Sequence, residues 1–274
     1  MIVDVHTHCF PPEIAKRALT YLTNRTGGVV KPIGDGTISC LVYQSYKNGI
    51  DKAVLCSVAT RPKHFSSIFE FGMSIRNGEC GEETRRRIVP LGSVHPDDGM
   101  RFEHLRLLAE AGFPGIKLHP YYQNCVLDSP EMLEYFHCCR DLDLVVQCHC
   151  GYDVGFPRED ICGPDRVAHV LREVPGLKFI AAHLGGWNRW DEAVQHLLGK
   201  DVFLDTSMLR HLFDDPNAHR LLREHPAEKL LMATDWPWLS FADGISYVKN
   251  AGLPEASLPL ILGENAKKLL HLEE

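Results

Sequence analysis

The sequence carries no run of basic residues, no long apolar stretch and no paired-cysteine spacing, and each absence removes a class of function. Its 274 residues hold 29 basic against 36 acidic side chains, a formal net charge of −7. Without a basic patch, the chain lacks the electrostatic footprint of a protein that works on nucleic acid or an anionic membrane. No window approaches the roughly 18 apolar residues of a membrane span. The opening Met1-Ile2-Val3-Asp4-Val5-His6 lacks the basic start and apolar core of a signal peptide. The expectation is a cytoplasmic protein with a small-molecule substrate and no nucleic-acid or membrane partner, as a monomer or a homodimer. Ten cysteines are present, yet none forms the Cys-x-x-Cys spacing of a structural zinc site or a redox couple. Several sit in apolar runs, as Cys56 does in Ala53-Val54-Leu55-Cys56, and read as buried reduced thiols. Cys148 and Cys150 flank His149 and, on a strand, point to the face opposite it.

Also missing is a glycine-rich phosphate turn after the first apolar run, where the chain reads His6-Thr7-His8-Cys9-Phe10. That argues against an open, doubly wound nucleotide-binding sheet. Eight short runs rich in Val, Ile, Leu and Ala do recur, at 2–8, 53–58, 88–94, 115–119, 144–149, 178–183, 202–206 and 230–235. Each reads as a buried parallel strand. Helical stretches with recognisable ends separate them: Ser129-Pro130 starts one, and Gly49 and Gly112 close two others. Eight strand–helix alternations predict a single (β/α)8 barrel over residues 1–274, with no linker and no internal repeat. The segment 9–50 is longer than a plain connection. Its Pro11-Pro12, Gly27-Gly28 and Gly34-Asp35-Gly36 predict an extended loop over the barrel mouth before a helix near 37–48.

The chemistry lies in how these runs end. His6 and His8 close the first, His119 the fourth, His149 the fifth, His183 the sixth and Asp235 the eighth. In a barrel those ends surround one C-terminal mouth. Strand alternation puts residues 4, 6 and 8 on one face and Val3 and Val5 on the other; likewise Gly115, Lys117 and His119 oppose Ile116 and Leu118. Histidines at i and i+2 stand about 7 Å apart along a strand, near enough to bind one ion. A third imidazole from His149 and an oxygen from Asp235 would complete a catalytic site with an open position. Taken singly, each of these residues has an ordinary structural explanation. Apolar strands that repeatedly end in ligating side chains gain nothing for folding from it, and the set as a whole points to metal. Arg210, after the seventh run, and Arg158, after the fifth, are candidates to bind a substrate carboxylate.

The motifs Asp4-x-His6-x-His8, Gly115-Ile-Lys117-Leu-His119-Pro120, His149-x-Gly151, His183-Leu-Gly-Gly186, Thr234-Asp235-Trp236-Pro237 and Gly263-Glu-Asn265-Ala266 together resemble the amidohydrolase superfamily. They look most like the branch called amidohydrolase 2, which also contains non-oxidative decarboxylases. The resemblance implies that His6, His8, His149 and Asp235 ligate a divalent metal, with Asp235 also the general base. It implies a catalytic role for His183, or ligation of a second ion. Lys117 occupies the place where some members carry a carboxylated lysine bridging two metals; with one ion, it and His119 would bind substrate. One zinc ion is expected, or two if Lys117 is carboxylated. The activity implied is hydrolysis of a small amide, lactone or related carbonyl compound by metal-activated water. The alternative is decarboxylation of a small aromatic or unsaturated acid. A TatD-like nuclease shares Asp4-x-His6-x-His8, but carries glutamate where this chain has Lys117.

Overall fold

The eight apolar runs are eight parallel strands in the computed structural model, which describes residues 1–208 and 215–273. They are β1 (Val3–Thr7), β2 (Lys52–Leu55), β3 (Ile88–Pro90), β4 (Gly115–Leu118), β5 (Val145–Cys148), β6 (Phe179–Ala181), β7 (Phe203–Asp205) and β8 (Leu230–Leu231). The strands pair in sequence order as two sheets, β1 to β3 and β4 to β8. Backbone hydrogen bonds bridge both seams. Gly92 N–H donates to the Gly115 carbonyl and Lys117 N–H to that of Gly92; Val5 N–H meets Met232, and Asp235 N–H meets His6. The fold is a (β/α)8 TIM barrel with helices packed outside.

Each ladder stops before its apolar run does. His119 and His149 lie one residue past the last paired position, His183 two and Asp235 four. Those residues lie past the ends of the regular strands and line the mouth, so the runs overshoot at their functional ends. The ladder also corrects the predicted facing of β1. Its register with β2 shifts between Asp4 and Thr7, so that three steps on β1 match two on β2. Such a bulge reverses the alternation of faces beyond it. Val3 and Val5 pack inside the barrel with Val54, Leu91, Val145 and Ile180, and the shift brings His6 to the inner side as well, against Lys117. Asp4, paired with Ala53, does not share the inner face with His6. It is fully buried and accepts hydrogen bonds from Thr234 Oγ1 at 2.6 Å and from the His6 N–H at 2.9 Å. Burial raises its carboxyl to about 7 despite the pull of those bonds.

Inside the barrel, the apolar floor is closed from below by Ala266, Leu269 and Leu270. Above that floor the inward positions turn polar: Lys117, Gln147 and Asp205 are each fully buried. The long segment after β1 holds a helix that the turn residues concealed, α1 (Pro12–Arg25), before α2 (Ile38–Lys47). Pro12 begins α1 rather than breaking it, because the first turn needs no N–H from that position. The predicted ends hold elsewhere. Thr37 caps α2, Ser129 caps the helix Pro130–Asp141, and Gly49 and Gly112 have φ of 70° and 76°. No helix among the described residues is long and apolar enough to cross a membrane.

Candidate active site

Around the mouth, a cavity of about 920 Å³ is lined by His6, His8, His119, His149, His183 and Asp235. Every histidine predicted for the site thus reaches one cavity. Asp235 stands between His6, in β1, and His8, just past its end. Its Oδ1 lies 2.9 Å from His8 Nε2 and 3.4 Å from His6 Nε2. These are ion-pair distances, yet no contact on that buried oxygen has hydrogen-bond geometry. An unsatisfied buried acceptor facing two imidazole nitrogens is what residues aimed at a common cation present. The donor set fits a divalent ion: His6, His8 and Asp235 bring ligating atoms within 4.8 Å of one another. Burial alone would raise the Asp235 carboxyl, but His6, His8 and His183 hold it well below the usual carboxylate range. Burial and nearby Lys117 lower His6 to about 4, so it stays neutral and able to ligate.

His149 falls outside that group of three. Its ring stacks on His119 at 4.2 Å, and its Nδ1 lies 3.0 Å from His183 Nε2. With His119 and Asp153 it makes a separate cluster, in which His119 Nε2 is 3.3 Å from Asp153 Oδ2. Burial and the neighbouring His119 and His183 push His149 well below the usual imidazole value. Lys117 lies beneath the cavity and is not part of its wall; its Nζ is 2.8 Å from His6 Nε2. Arg158 sits outside the cavity, 5.4 Å over the Tyr152 ring, and Arg210 lies outside the described residues. Of the arginines that line the wall, Arg17, Arg25 and Arg61, it is Arg25, at the end of α1, that lies 3.8 Å over the centre of the Phe156 ring. The sequence reading missed it because α1 had been taken for loop.

One further residue was missed. Asp205, at the end of β7, accepts from His6 Nδ1 at 3.0 Å and from Gln147 Nε2 at 3.1 Å. Its other oxygen accepts from the His183 N–H at 2.9 Å and from Ser207. The signal was available, since the seventh run ends Leu204-Asp205-Thr206, a polar stop like those of its neighbours. The loops above are bent to suit these contacts. His183, Leu184 and Gly185 run consecutively at φ of 59°, 52° and 81°, and Met208 and Asp235 stand at 61° and 63°. Asp and His tolerate that region, but a leucine there costs roughly 1–2 kcal/mol. Strain of this kind collects where a side chain must be aimed.

Gly151 shows how tightly the β5 loop is fixed. It has φ of 87°, and a Cβ there would lie 2.2 Å from the Trp187 backbone nitrogen. Gly151→Ala is expected to cost about 2 kcal/mol or more, since both the conformation and the space are wrong. A urea midpoint unchanged from the parent protein would contradict this.

In sequence, the amidohydrolase profile matches residues 78–272. No curated protein sequence matches the chain. In structure, the chain resembles an uncharacterised TIM-barrel protein from Bordetella bronchiseptica, with a TM-score of 0.75, 16% identity and 98% of each chain covered. It also resembles 5-carboxyvanillate decarboxylase from Novosphingobium aromaticivorans, complexed with manganese and 4-hydroxy-3-methoxy-5-nitrobenzoic acid. There the TM-score is 0.70 at 15% identity, over 99% of this chain and 96% of that one. A probable 2-pyrone-4,6-dicarboxylic acid hydrolase from Acinetobacter baumannii, with citric acid bound, has a TM-score of 0.65 at 16% identity and 99% coverage of both chains. At such identities the likeness establishes the barrel; with the profile spanning most of the sequence, the chain belongs to the amidohydrolase family, in its amidohydrolase 2 branch.

Proposed function

We propose that the chain is a metal-dependent hydrolase acting on a small amide, lactone or related carbonyl compound. The observation that carries this reading is Asp235 Oδ1, buried without a hydrogen bond and faced by His6 and His8. On this reading those three residues hold one divalent ion, with His149 the fourth ligand from across the cavity. The mix of imidazole and carboxylate suits zinc. A carboxylated Lys117 would admit a second ion. A bound ion supplies Lewis acidity, which polarises a carbonyl and brings the pKa of water down to about 7.

The chain's own residues do the rest. Asp235, held ionised, accepts the proton of the attacking water and returns it to the leaving group. His183 stands 5.4 Å from His6, ring centre to ring centre, and is the second group placed to exchange a proton. Tyr122, Phe156, Trp187 and Trp238 line the cavity and restrict water. Arg25, over the Phe156 ring with Nη1 donating to the Tyr21 hydroxyl, is placed to pair with a substrate carboxylate.

That aromatic wall with its arginine also favours a second reading. A flat, unsaturated acid would stack there, and the same ligands and carboxylate could then serve its decarboxylation. The isotope content of the product separates the two. A panel of lactones, amides and aromatic acids turned over in heavy-oxygen water is expected to give labelled product. Release of CO2, with deuterium gained from D2O and no oxygen label, would replace hydrolysis by decarboxylation.

A further inference from the structure

We infer that Asp205, together with Ser207, is a positioning pair that fixes the tautomers of His6 and His183, turning both Nε2 lone pairs into the cavity. The argument follows single protons. A carboxylate has no proton to give, so His6 Nδ1, 3.0 Å from Asp205 Oδ2, must carry one. Neutral His6 then has its lone pair on Nε2, where the Lys117 ammonium, a donor only, lies 2.8 Å away. The two contacts demand the same tautomer.

The second oxygen of the same carboxylate sets the other ring. Ser207 Oγ has one proton and directs it to Asp205 Oδ1. It can therefore only accept from His183 Nδ1, at 2.8 Å. His183 Nδ1 is thus protonated and its Nε2 holds the lone pair, 3.0 Å from His149 Nδ1, while the other nitrogen of His149 lies 3.2 Å from the Tyr152 carbonyl. Asp205 also accepts from the backbone N–H groups of His183 and Ser207, at 2.9 and 3.0 Å, which locks the strained turn at His183. Gln147 Nε2 supplies a further donor on Oδ2. The carboxylate is fully buried and well supplied with donors, so it has little freedom to reorient.

Two consequences follow. His6 can ligate only through Nε2, the nitrogen that faces Asp235. Neutral His183 meets the cavity as a proton acceptor or ligand, and becomes a donor only after taking up a proton. Asp205 touches neither substrate nor ion in this account; it acts through the two rings.

The test reads tautomers directly, in apo protein, by ring-nitrogen NMR of histidine-labelled samples. In the parent, His6 and His183 are both expected as Nδ1–H. In Asp205→Asn the amide can present an N–H to His6 Nδ1, so His6 is expected to lose its strict Nδ1–H preference, with Lys117 alone still favouring that tautomer. Zn2+ affinity, read by chelator competition, should then fall about 10–100-fold, as for other carboxylates that orient ligating histidines. Ser207→Ala keeps the Asp205–His6 bond, so His6 should stay Nδ1–H while His183 loses that preference. If Asp205→Asn does not fold, Ser207→Ala still tests the His183 half. Retention of Nδ1–H as the sole form at His6 in the first variant, or at His183 in the second, overturns the assignment. The tautomer readout needs neither ion nor substrate, so its failure is separate from failure of the proposed metal chemistry.

Discussion

Asp235→Asn is expected to lower turnover by about 10²–10⁴-fold while the protein keeps its ion. Backbone conformation does not confound the comparison: Asp235 has φ of 63°, a region that asparagine occupies as readily as aspartate. The amide retains an oxygen that can face His6 and His8, but an amide does not accept a proton near neutral pH. What is removed is the base. Metal content and turnover must be measured on the same sample, because loss of both would report ligation alone. Near-normal turnover in a metal-loaded Asn variant would move the base elsewhere, with His183 the first candidate.

The barrel was legible because its strands are buried on both faces. Apolar runs such as Ala53-Val54-Leu55-Cys56 have no solvent side to punctuate them, and their number gives the architecture. The candidate ligands were legible for the complementary reason, as polar stops on apolar strands. What escaped was everything set by departures from regular geometry. Alternation assigned Asp4 and His6 to one face, and a single extra residue in β1 separated them. Proline and glycine pairs suggested loop over 9–36, although Pro12 starts a 14-residue helix that carries Arg25 to the cavity. His149 was grouped with His6 and His8 because all close strands. Its strand lies elsewhere around the ring, and its side chain lines the same cavity against His119 and His183. Asp205 was passed over as one polar residue in a strand, because its partners Ser207, Gln147, His183 and His6 come together only when the ring forms.

Replacing both His6 and His8 with alanine is expected to take bound metal from about one ion per chain to near background, and turnover with it. Of the three residues whose ligating atoms converge, only Asp235 then remains, with His149 across the cavity, too few for a stable site. The two replacements differ in what else they disturb. His8 is partly exposed, at 19%, and its contact in the site is Asp235. Removing it leaves the interior intact. His6 is 2% exposed and bridges Asp205 to Lys117, so its loss leaves the buried Lys117 ammonium without that partner, whereas Asp205 keeps Gln147, Ser207 and the His183 N–H. That costs about 1–3 kcal/mol for the group left unpaired. A double variant that loses metal could therefore have lost its fold as well. His8→Ala alone resolves this: it should melt close to the parent in apo form, yet bind Zn2+ far more weakly. Full metal retention by a folded double variant would show that the ion sits elsewhere, with the His119, His149 and Asp153 cluster the next place to look.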